Sequence, residues 1–106
     1  MDLRCRITSM HGAATLHVSG EVDLSTLPLF RDHLMKLVDD HFGCTVHVDL
    51  DGVTALDDAG LGMLLGAAGR ARQRQGDLQL VCTSEHLLRR FSVTGLDRAV
   101  AVRPAG

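Results

Sequence analysis

Apolar and polar residues alternate from the start of the chain, with Leu3, Cys5 and Ile7 set against Arg4, Arg6 and Thr8. A period of two belongs to a strand with one covered face, so residues 3–9 predict a first strand. His11-Gly12 predicts a turn and residues 13–19 a second strand, together a hairpin. The period then lengthens. Leu27, Phe30, Leu34, Leu37 and Val38 recur at helical spacing, with Arg31, Asp32, Lys36, Asp39 and Asp40 on the opposite side. Ser25 or Thr26 is placed to cap this helix, Pro28 lies in its first turn, and Gly43 marks its end.

Val46, Val48 and Leu50 against His47 and Asp49 predict a third strand. A loop is expected over residues 51–56, and then a helix that opens at Asp57-Asp58, where either carboxylate can cap the first free N–H groups. Arg70, Arg72 and Arg74 suit its negative end, and Gly76 is the expected stop. Residues 78–82 predict a fourth strand. Ser84 caps a third helix over about 85–93, with Leu87, Leu88 and Phe91 inward and Gly95 as its stop, and residues 99–103 predict a fifth strand. The order ββαβαβαβ predicts one α/β (α+β-like) domain over residues 1–106, a mixed, mainly parallel five-stranded sheet with three helices.

The second of these helices has two stripes. At roughly 100° per residue, Leu61, Leu64, Leu65, Ala68 and Ala71 form an ordinary core face. Gly62, Gly66 and Gly69 form another, with Ala59, Met63 and Ala67 beside it. Each mid-helix glycine costs about 1 kcal/mol relative to alanine. Two readings account for a smooth stripe at that cost: close packing against a neighbouring helix of the same domain, or an approach surface for another protein.

Composition narrows the function. The chain of 106 residues is 45% hydrophobic with a formal charge of −2, so it has no general attraction for nucleic acid or acidic membranes. Trp and Tyr are absent and only three Phe occur, leaving no stacking platform for single strands. No apolar run is long enough to span a bilayer, and the alternating N-terminus is not that of a signal peptide. Cys5, Cys44 and Cys82 all fall in predicted strands without C-x-x-C spacing, which predicts buried, reduced thiols in a cytoplasmic protein.

A strand, then Leu56-Asp57-Asp58-Ala59-Gly60-Leu61-Gly62, then a helix, resembles the signature of STAS domains, in particular the bacterial anti-sigma factor antagonists. That family's pattern is Asp, two Ser/Thr, Gly, an aliphatic residue and often a second Gly. Asp57, Gly60, Leu61 and Gly62 match it, while the hydroxyl positions hold Asp58 and Ala59. The resemblance extends over nearly the whole chain: it includes the element order and the Gly-Glu-x-Asp stretch at Gly20–Asp23, although the family's usual helix after the last strand is not expected within residues 1–106. It implies a non-enzymatic regulator, without cofactor and monomeric when free, that binds an anti-sigma factor of the GHKL serine-kinase type and so releases a sigma factor. The partner-binding surface it implies comprises Asp23, Ser25, Asp57, Asp58, Ala59, Gly60, Gly62, Met63 and Gly66. In the family, phosphate on a hydroxyl at this turn breaks the complex. Ala59 cannot carry one, so a constitutively competent antagonist is expected. A STAS subunit or ligand-sensing module of another assembly, such as a lipid transporter, is the alternative.

Other chemistry is weaker. Asp49-Leu50-Asp51-Gly52-Val53-Thr54 resembles the nucleophile motif of Mg²⁺-dependent haloacid-dehalogenase-like phosphatases. Here, however, two strands precede it, and the only lysine, Lys36, lies upstream. Asp49, Asp51, Asp57 and Asp58 lack the spacing of a calcium loop, which predicts turns and caps rather than a metal site. The six histidines show no helical ligand pair, and His17 and His47 are expected near each other if their strands pair.

Overall fold

The computed structural model describes residues 2–10 and 12–104. His11, half of the expected first turn, lies outside the described residues. The strands are β1 (Leu3–Met10), β2 (Ala13–Val22), β3 (Thr45–Leu56), β4 (Asp77–Val81) and β5 (Ala101–Arg103). The helices are α1 (Leu27–Asp39), α2 (Asp58–Gln73), α3 (Glu85–Thr94) and a single turn, α4 (Leu96–Ala99). The strands form one five-stranded sheet in the order β1-β2-β3-β4-β5. β1 runs antiparallel to β2, and the remaining neighbours are parallel.

Each parallel crossover advances one strand in the same direction. With the usual right-handed connection, all the helices then fall on one face of the sheet. Burial agrees. Leu16, Val18, Val46, Val48, Leu50, Leu78 and Leu80 are closed off beneath Phe30 and Leu34 of α1, Leu61 and Leu64 of α2, and Leu87 and Phe91 of α3. The residues between them, such as His17, Asp49 and Gln79, lie on the open face and are only half-buried.

Several local expectations are corrected. The segment expected as a loop over 51–56 belongs to β3, which runs on to Leu56. It does so through two bulges. Between His17↔Asp49 and Ser19↔Gly52, and again between Gly20↔Val53 and Glu21↔Ala55, β3 contains one residue more than β2. In the first bulge the Asp51 N–H donates to Asp49 Oδ1 (3.0 Å), and in the second the Thr54 hydroxyl donates to the Gly20 carbonyl (3.2 Å). Side chains therefore satisfy groups at the places where the ladder slips.

Gly95 stops α3 in the left-handed region as expected (φ 82°), but α4 follows at once and was not foreseen. At the end of α2 the left-handed residue is Gln75 (φ 66°), with the Gly76 N–H closing on the Ala71 carbonyl. The helix α1 ends at Asp39, before Gly43. Arg70 of α2 and Arg74, the residue that ends it, both pair with Asp39 of α1, and Arg72 pairs with Asp77. Of the cysteines, Cys82 is buried and Cys5 half-buried, and burial raises both thiol pKa values; Cys44, expected inside, is exposed.

Candidate functional site

The helix start that the sequence singles out is built at the ends of β2 and β3. Asp57 is extended (φ −81°, ψ 173°) and is the N-cap of α2: its Oδ1 accepts from the Gly60 N–H at 3.0 Å. Its own N–H donates to the Val22 carbonyl (3.1 Å), which fastens the helix start to the end of β2. Asp58, the other candidate cap, does not serve as one. Its side chain is 95% exposed and accepts from Arg90 Nη2 of α3 at 2.9 Å. Ala59 is exposed beside it.

Gly60 is buried. A Cβ there would lie 2.6 Å from Leu56 Cδ1 and 2.9 Å from Val22 Cγ1. The motif glycine thus lets the first turn of α2 close onto β2 and β3, and Gly60 drops out of the expected contact surface. The other glycines behave oppositely. A Cβ built at Gly62, Gly66 or Gly69 meets nothing within 4 Å. Gly62 and Gly66 are exposed and Gly69 is half-buried, so this stripe packs against no neighbouring helix of the described chain.

The core face of α2 is also rotated from the expected one. Leu61, Leu64, Ala67, Ala68 and Ala71 are buried with Gly60, whereas Leu65 is 46% exposed. The centre of the buried arc is Leu64, roughly 160–200° round the helix from Gly62 and Gly66. The bare stripe therefore points away from the core.

The β2–α1 loop borders this surface. Asp23 Oδ1 accepts from the Ser25 N–H (2.9 Å), the Ser25 hydroxyl (2.7 Å) and the Thr26 N–H (3.1 Å). The Ser25 hydroxyl bond, followed by the backbone donors, holds the Asp23 carboxyl below the usual carboxylate range. Thr26 is the N-cap residue of α1, but its hydroxyl donates to the Glu21 carbonyl (2.8 Å) and accepts from the Asp23 N–H (3.0 Å) instead of capping the helix. Between these anchors Leu24 projects 79% exposed. With Leu27, Pro28 and Met63 it borders a shallow groove of about 260 Å³.

Asp58, Ala59, Gly62 and Gly66 are thus exposed along the outward side of α2, with Asp57 as the cap at its start, while Met63 shares a groove with Leu24, the residue next to the turn that Asp23 and Ser25 form. Leu24 and Arg90 were missed by sequence reasoning. Leu24 had a weak signal, a large aliphatic residue in a loop between two polar ones. Arg90 had none, since its partner lies 32 residues away.

The remaining aspartates have separate tasks. Asp49 accepts from the Asp51 N–H and from His17 Nδ1 (3.2 Å), and Asp51 Oδ1 accepts from both the N–H and the hydroxyl of Thr83. The phosphatase-like stretch therefore shapes β3 and ties it to the β4–α3 connection. His17 opposes Asp49 and His47 opposes Thr15, so the pairing of β2 with β3 puts the two histidines diagonally beside each other on the open face, near each other as expected. Among the described residues no three His, Cys, Asp or Glu side chains gather as metal ligands. No described helix is long and apolar enough to cross a membrane.

Comparison with known proteins adds the following. A family profile described as "Mlab, STAS domain" matches residues 5–104. The anti-sigma-B factor antagonist of Listeria monocytogenes is 34% identical over 88 residues, 83% of this chain and 76% of that protein. The anti-sigma-B factor antagonist of Bacillus subtilis is 28% identical over 96 residues, 91% of this chain and 86% of that protein. The crystal structure of an anti-sigma factor antagonist from Mycobacterium paratuberculosis superposes with a TM-score of 0.88 at 24% identity, covering 98% of this chain and 87% of that one.

Proposed function

The chain belongs to the STAS-domain family, and we propose that it is an anti-sigma factor antagonist: it binds an anti-sigma factor of the serine-kinase type in the cytoplasm and thereby frees a sigma factor. One observation carries the reading. The outward side of α2 is bare at Gly62 and Gly66, and half-buried Met63 of the same helix shares a groove with exposed Leu24. Mid-helix glycines that face only solvent weaken a helix by about 1 kcal/mol each. They suit a partner backbone that comes close, while Leu24 supplies the apolar anchor of such an interface.

Ala59 has no hydroxyl at the motif position, so no phosphoester forms there. Asp58 brings a carboxylate to the same turn, but Arg90 lies against it with the opposite charge. Docking on this surface is then governed by abundance or by modification elsewhere, and the chain itself performs no catalytic step.

Capture of binding proteins from the native cytoplasm on the purified chain tests the proposal. The expected partner is an anti-sigma factor with a kinase fold, and the complex transfers no label from ATP to this chain. Recovery of transport-complex subunits in its place gives the alternative, a STAS subunit of another assembly.

A further inference from the structure

The open face of the sheet, away from α2, carries a second constellation that antagonism does not use. A concavity of about 410 Å³ lies across β1, β2 and β3, lined in part by Arg4, Arg6, His17, Ser19, Asp49 and Asp51. Strand register puts these side chains on one face: Arg4 opposes Ser19, Arg6 opposes His17, and His17 opposes Asp49. Its size is within the range of small-molecule sites.

The charges are unequally committed. Both arginines are exposed, and neither forms an ion pair among the described residues. Both oxygens of Asp49 are engaged, Oδ1 by the Asp51 N–H and Oδ2 by His17 Nδ1. The Thr8 hydroxyl, 2.9 Å from His17 Nε2, occupies the other ring nitrogen. Asp51 Oδ1 is taken by Thr83, which leaves its Oδ2 without a donor among the described residues.

The result is a polar axis: two uncommitted guanidiniums on β1 and one uncommitted carboxylate oxygen on β3. Two strand spacings separate the ends, about 10 Å, which is near the screening length at physiological salt. An anion at the β1 end is therefore not repelled strongly by Asp51. Adjacent guanidiniums match the oxygens of a phosphate monoester, and a carboxylate oxygen accepts from hydroxyl groups. No Phe, Tyr or Trp side chain lines the concavity, and both ring nitrogens of His17 are engaged, by Thr8 and by Asp49.

From this layout we propose that the open sheet face binds a phosphorylated sugar, with the phosphate on Arg4 and Arg6, Ser19 contributing a hydroxyl, and the sugar hydroxyls donating to Asp51. The inference stands on the β1–β3 face alone and is independent of what docks on α2.

Titration of the ¹⁵N-labelled full chain with glucose 6-phosphate as the probe tests it, with inorganic phosphate and glucose as separate arms. The expected result is saturable amide shifts at Arg4, Arg6, Ser19 and Gly52 with the probe, weaker binding of phosphate alone, and no binding of glucose. Arg4→Ala and Arg6→Ala each weaken the probe about tenfold or more, the scale of one charge-assisted hydrogen bond. Asp51→Asn weakens the sugar phosphate and leaves inorganic phosphate unchanged. The proposal is overturned by an absence of saturable shifts at these residues, by affinity unchanged in the arginine variants, or by inorganic phosphate binding as tightly as the probe.

Discussion

Arg90 of α3 donates from Nη2 to Oδ1 of Asp58, the first residue of α2, across 2.9 Å. The carboxylate is almost wholly in water and the guanidinium is not, with side-chain exposures of 95% and 29%. Such a pair contributes at most about 1 kcal/mol to folding. Its importance grows when a partner covers Asp58 and removes the water. Arg90→Ala is expected to leave the melting temperature nearly unchanged and to weaken capture of the anti-sigma factor. Asp58→Ser in the same background restores binding, because the uncompensated charge is then gone. A double-mutant cycle in calorimetry reads this directly.

Two leucines separate packing from docking. Leu64 is fully buried at the centre of the core face of α2, whereas Leu24 is 79% exposed. Leu64→Ala is expected to lower stability by about 2–5 kcal/mol in urea unfolding, through the cavity it leaves. Leu24→Ala is expected to change stability by less than about 0.5 kcal/mol and to weaken the complex.

The Asp23 turn gives a pH signature. Its carboxyl is held below the ordinary value, first by the Ser25 hydroxyl and then by backbone donors. A lowered folded-state pKa stabilises the turn above the unfolded value of about 3.9, and that contribution is lost as pH falls through the folded value. A ¹³C carboxyl titration should therefore place the Asp23 midpoint below the ordinary range. Ser25→Ala should move it upward, towards that range.

Much of the fold was legible because one-sided burial imposes a period. Val46, Val48 and Leu50 against His47 and Asp49 marked β3, and Phe30, Leu34 and Leu37 marked α1. The far half of β3 was not legible, because Asp51, Gly52 and Thr54 have turn chemistry and are kept in the strand by bulges that only the β2 register reveals. On α2, hydrophobicity favoured Leu65 over Ala67. The interior selected Ala67, which lies closer to the buried centre at Leu64. The site was legible as a motif, with Asp57 as cap. Gly60 and Gly62 looked alike in sequence, yet one is wedged against Leu56 and Val22 and the other faces solvent. That distinction depends on tertiary neighbours, as does the reach of Arg90 to Asp58.

The most direct measurement is the affinity of Gly66→Arg for the anti-sigma factor, taken together with its thermal unfolding. A Cβ at Gly66 meets open space, and arginine is the better helix former by roughly 0.7–1 kcal/mol, so the variant should melt no lower than the parent chain. The account predicts that it folds and no longer binds. A folded Gly66→Arg that binds with unchanged affinity, or one that fails to fold, contradicts it.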